Sequence, residues 1–142
     1  MTRPRRMRRG TFLLATGGLG VSLAWRSLGM WPFLGGAPAG SERLAGLLRN
    51  EEGACTIGRA YLRAVPAEAS SAVLTARVAE RVPGGLTAVD AISDDRLRVL
   101  LVEASAEDFR DLRTVEVQGW VLARTEARLC ALAAMRARAT PA

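Results

Sequence analysis

Residues Thr114 to Arg138 read TVEVQGWVLARTEARLCALAAMRAR, and their rhythm changes once. Val115, Val117 and, past Gly119, Val121 alternate with polar residues. A period of two with β-branched residues predicts a short strand, or a hairpin arm turning at Gln118–Gly119. From Thr125 the period lengthens. Leu129, Leu132, Ala133 and Met135 recur at helical spacing to about Arg138, and Thr125 is placed to cap that helix. One strand cannot stand alone. Either it pairs with a second strand, for which Leu86 to Ala91 is the candidate, or it lies as extended chain on helices.

Upstream of this stretch the helical period dominates. Ser41 is placed to cap a first helix bearing Leu44, Leu47 and Leu48. Asn50 to Gly53 is a polar break, after which Ala54, Ile57, Tyr61 and Leu62 form a second stripe. Gly58 lies on or near that stripe. A glycine inside a helix costs about 1 kcal/mol against alanine, and a close helix–helix approach would explain it. Pro66 suits a first turn and predicts a third helix to Arg81, with Ala69, Val73, Leu74 and Val78 inward. Pro83-Gly84-Gly85 stops it, and Leu86 to Ile92 is ambiguous. Ser93-Asp94-Asp95 opens another helix carrying Leu97, Leu100 and Leu101. Ser105 with Asp108 resembles a capping box for a further one, on which Phe109 and Leu112 follow. The expected fold is a mainly α domain of four to five helices with one short strand or hairpin, over residues 40–142.

Residues 1–39 have a different character. MTRPRRMRR is a basic n-region, residues 12–25 are apolar but thinned by Gly17, Gly18 and Gly20, and Ala37 and Ala39 sit in an A-x-A arrangement. That order is a secretory signal peptide, with cleavage expected after Ala39. Arg8-Arg9 followed by Phe12-Leu13 resembles the twin-arginine motif, although Phe12 sits one place further from the arginines than usual. The leader together with residues 114–132 is similar to small exported proteins bearing twin-arginine signals. The resemblance carries no activity. It implies export in a folded state through the twin-arginine translocase, to the periplasm or beyond. Cargo of that class often loads a cofactor first or travels bound to a partner that does. Ordinary secretion and an uncleaved inner-membrane anchor are the other outcomes for the leader. Its apolar run, Phe12 to Trp25, is shorter than the roughly 20 residues a span needs.

Charge follows the same division. The chain has 20 Lys plus Arg and 14 Asp plus Glu, for a net +6. Six arginines and no acid lie between Met1 and Gly40; from Ser41 onward arginines and acids are equal in number. A neutral body lacks the cationic surplus that drives nucleic-acid binding. Every basic residue is arginine, and histidine is absent. That removes Ser-His-Asp, Cys-His and His-ligated zinc chemistry.

Three features of the body remain. Cys55 and Cys130 would close a long loop as a disulfide in an oxidising compartment, or serve as small buried apolar residues. The carboxylates Asp94-Asp95 and Glu107-Asp108-Asp111 fit helix N-terminal charge better than catalysis. Trp120 beside a glycine turn, with Arg124, is either a contact for a partner protein or the main core residue of a small domain. No catalytic, metal or cofactor motif stands out. The expected function is a non-enzymatic exported accessory protein, a small subunit or assembly factor of a periplasmic oxidoreductase. The alternative is a free-standing periplasmic ligand-binding domain.

Overall fold

A computed structural model describes residues 39–139. It contains six helices and one hairpin: α1 (Ala39–Gly46), α2 (Glu51–Ala64), α3 (Ser71–Ala79), α4 (Gly85–Ala91), α5 (Asp94–Arg110), β1 (Thr114–Val117), β2 (Trp120–Ala123) and α6 (Arg124–Ala139), with a 3₁₀ turn at Pro66–Glu68. The mainly helical reading with a hairpin is correct.

The centre of the body is α6. Ala127, Leu129, Cys130, Ala131, Leu132, Ala133 and Ala134 are all buried, so the helix is covered on nearly every side. An apolar circumference of that kind marks an interior helix. It packs against α1, α2, α3 and α5, with α2 the most intimate neighbour. The small residues along α6 permit that intimacy, and Gly58 completes it. A Cβ built on Gly58 would lie 2.0 Å from the Cys130 carbonyl oxygen. The close approach expected at Gly58 therefore exists, and it is backbone against backbone. Pairings of Glu51 with Arg136 and of Glu68 with Arg128 show that α2 and α6 run antiparallel.

Several boundaries differ from the sequence reading. Ser41 does not cap α1; it lies inside the helix and is buried. Asn50 is the N-cap of α2, its Oδ1 accepting from the Gly53 N–H at 3.0 Å, so Gly53 belongs to the first turn rather than to a break. The helix expected from Pro66 to Arg81 divides at Ala69–Ser70, and Ala69 and Val73 face outward while Leu74 and Val78 are fully buried. Leu86–Ala91 is helix, not strand, so β1 pairs with β2. Ser105 starts no new helix. It sits inside α5 with its hydroxyl donating to the Leu101 carbonyl, which frees Asp108 for another task.

Arg43 of α1 joins the α4–α5 corner. Its guanidinium donates to the carbonyls of Val89 and Ile92 and pairs with Asp94 at 2.8 Å. Cations suit the exposed carbonyls at a helix C-terminus, here that of α4.

Candidate interaction surface

The hairpin stands on a clamp built around Asp108. This carboxylate projects from the last turn of α5 and is 1% exposed. Its Oδ2 accepts from the Thr125 N–H and from the Thr125 hydroxyl, both at 2.7 Å. Its Oδ1 accepts from Arg113 Nε at 2.9 Å, and Arg81 Nε lies 3.7 Å away. Thr125 thus does not cap α6 itself. Asp108, on the preceding helix, supplies the cap to the Thr125 N–H in the α6 first turn. Burial works against the charge on Asp108, but the bonds from Thr125 and Arg113, with Arg81 nearby, outweigh it and hold the carboxyl below its ordinary value. The acidic run 107–111 is therefore not a uniform helix-end charge: Asp108 turns inward while Glu107 and Asp111 stay exposed.

Between the two ends of this clamp the chain makes two left-handed turns. α5 closes in a Schellman motif, with Arg113 N bonded to Asp108 O at 2.8 Å and Leu112 N to Phe109 O at 3.3 Å. The residue forced to positive φ there is Leu112, at 55°. Glycine is the usual occupant. At the hairpin tip Gln118 (φ 53°) and Gly119 (φ 80°) both adopt positive φ, the signature of the tight turn whose twist matches the strands. The expected turn at Gln118–Gly119 is thus present. Val117 pairs with Trp120, and Arg124 N bonds the Arg113 carbonyl where the strands end.

This geometry places Trp120 on the surface. It is 70% exposed, and the core reading of Trp120 is wrong for a simple reason. Trp120 shares the inward face with Val117, but it is the last pair before the turn and overhangs the body. Val121, on the other face, is 59% exposed. Arg124 is exposed too, at the opposite end of β2. The length of β2 separates them, about 13 Å at the usual rise. The structure therefore sets Trp120 and Arg124 at the tip and base of the hairpin and not in one cluster.

Two apolar residues near the base, read from the sequence as the spaced positions of a further helix, are exposed instead. Leu112 is 84% exposed and Phe109 47%. The signal was there in α5, where two apolar stripes run side by side. One comprises Leu97, Leu101 and Ala104, which are buried; the other comprises Val99, Val102 and Phe109, which are exposed. Periodicity detects both but does not say which one faces inward.

A second polar cluster lies away from the hairpin. Arg128 grips Glu68 with two bonds, Nε to Oε2 at 2.8 Å and Nη2 to Oε1 at 2.7 Å. The fully buried Tyr61 donates its hydroxyl to Glu68 Oε2 at 2.6 Å. Arg128 holds the Glu68 carboxyl down at about 2, while burial and the neighbouring carboxylate push the Tyr61 hydroxyl up to about 12. All three groups are fully engaged with one another, which suits a structural tie better than a reactive site.

Cys55 and Cys130 are buried free thiols on α2 and α6. Burial pushes the Cys130 thiol up to about 12, which suppresses its thiolate. Among the described residues, no group of three His, Cys, Asp or Glu side chains is placed to hold a metal, and no helix is long and apolar enough to cross a membrane. The leader residues Arg8, Arg9, Phe12, Leu13 and Ala37 lie outside the described residues, and Ala39 is the first residue of α1. Comparisons with protein-family models, curated proteins and solved structures find no match to this chain.

Proposed function

We propose that this protein is a non-enzymatic accessory protein exported to the periplasm by the twin-arginine translocase, where it serves a larger oxidoreductase as a small subunit or assembly factor. The observation that carries the reading is Trp120, 70% exposed at the tip of a hairpin whose two ends are tied down. A large aromatic on a rigid mount loses little conformational freedom on binding, and Trp and Arg dominate the energetics of protein interfaces. Leu112 supports the same reading. It combines an exposed apolar side chain with a backbone angle that disfavours it, and such strain concentrates at functional positions. The Arg8-Arg9 leader, as a translocase signal, supplies the compartment, with removal proposed after Ala39.

Affinity capture from a periplasmic extract tests this. The exported protein should recover a stoichiometric larger partner, and Trp120→Ala should lose it while keeping its melting temperature. Recovery of no stoichiometric partner by the unaltered protein overturns the proposal. Replacing Arg8 and Arg9 together by lysine should leave the protein in the cytoplasm; unchanged export would refute the twin-arginine route.

A further inference from the structure

The bond expected to be cut when the leader is removed joins Ala39 to Gly40. Ala37 lies outside the described residues, but Ala39, Gly40 and Ser41 open α1. The scissile bond therefore lies within a helical turn. Gly40 is buried in the corner between α3 and α4. A Cβ built on it would lie 3.3 Å from Leu86 Cδ1, 3.5 Å from Asp90 Oδ1 and 3.5 Å from Thr75 Cγ2. Ser41 is 5% exposed, and Leu44 and Ala45, one turn further on, are buried. Arg43 ties the same helix to the carbonyls of Val89 and Ile92 and to Asp94. A chain end frays unless it is tied down, and this first turn is both packed and tied.

Signal peptidase reads small side chains at two alternate positions of an extended strand, here Ala37 and Ala39. Alternate side chains share a face only in extended chain, and the helical turn at Ala39 and Gly40 does not offer that geometry. We propose that the packing of α1 is a latch on leader removal. In the folded chain the Ala39–Gly40 bond is closed to signal peptidase, and hydrolysis waits until the first turn of α1 unwinds. Water then adds across that bond, leaving a carboxylate on Ala39 and an amine on Gly40. The inference rests on the leader reading proposed above and adds an order of events. Export in a folded state puts folding before cleavage, so the fold and the peptidase compete for the same residues. Cleavage at a closed site follows the population of the open form. The chain keeps its leader for as long as α1 stays packed.

Purified signal peptidase acting on the full chain in detergent tests this, with the product's N-terminus read by mass spectrometry and a thermal melt of each chain. A spacer Gly-Ser-Gly-Ser-Gly-Ser inserted between Ala39 and Gly40 moves the bond off α1, while Ala37, Ala39 and a following glycine are kept. The spacer variant should be cut after Ala39 on the order of tenfold faster than the unaltered chain, with an unchanged melt. Arg43→Ala, which removes the tie, should also be cut faster than the unaltered chain. Unaltered and spacer chains cut after Ala39 at the same rate overturn the latch and leave the leader reading in place. So does a spacer effect that Arg43→Ala does not share, because the bulk of the body, and not the packing of α1, would then be what shields the bond. If neither the unaltered nor the spacer chain is cut after Ala39, the leader reading itself fails and the latch with it.

Discussion

Leu112 occupies a position that glycine would fill more comfortably. A left-handed conformation costs a non-glycine residue about 1–2 kcal/mol. Its side chain, 84% exposed, recovers almost nothing from burial. Leu112→Gly should therefore stabilise the fold by about 0.5–1 kcal/mol, after allowing for the greater freedom of glycine in the unfolded chain. Urea denaturation measures this, and a loss of stability would show that Leu112 packs in a way its exposure does not suggest. Gly58 is the opposite case. A methyl there meets the Cys130 carbonyl at 2.0 Å, and the obstacle is backbone that has no rotamer to change. Gly58→Ala should cost about 3 kcal/mol, at the upper end of overpacking penalties. A near-neutral result would mean that α2 and α6 slide apart easily.

At the scale of elements, a buried carboxylate, Asp108, and a half-buried one, Glu68, hold the helices in register. Asp108 bonds the start of α6 to the end of α5, and Glu68 joins the turn after α2 to the second turn of α6. Asp108→Ala removes an N-cap, leaves the buried Thr125 hydroxyl without its acceptor and deprives Arg113 of a partner. The expected loss is about 3 kcal/mol in chemical denaturation. Both carboxyls sit below their ordinary values when folded. For such a group the stabilisation is complete above the unfolded pKa and is lost as pH falls through the folded one. For Glu68 that window runs from 4.5 down to about 2. Tyr61 is shifted the other way, so its contribution is complete below 10 and is lost as pH rises to about 12. Thermal melts from pH 7 to 2 should show this acid loss, and Glu68→Gln should flatten it. An acid limb unchanged by Glu68→Gln would remove Glu68 from the tie.

At the scale of the whole molecule, α6 makes the core a single unit. Cys130 lies at the Gly58 crossing, and Cys55 is buried on α2 one turn from it. Their thiols should resist alkylation in the folded protein and react fully in denaturant without reductant. Labelling at low denaturant should follow global unfolding, because opening α2 from α6 exposes the main interior surface. Thiols that stay unreactive in denaturant until reductant is added would show that the pair is bridged.

Much of this architecture was legible in residue spacing. The hairpin turn at Gln118–Gly119, the close approach at Gly58 and the inward leucines of α1, α3 and α5 follow from period and from glycine stereochemistry. Those are properties of short stretches of neighbouring residues. The sequence also determined the division of charge: a basic segment up to Gly40 ahead of a neutral, histidine-free body. What only the tertiary structure decided are the long-range partnerships. Asp108 looked like a local cap of its own helix and instead caps α6. Glu68 and Arg128, on different elements, carried no signal of each other. Trp120 read equally as core or as a surface contact, and it projects outward, because a strand pair at the turn has a face but nothing opposite it. Periodicity states which residues share a side of an element. Which side meets the interior depends on the other elements, and that is settled only when they pack.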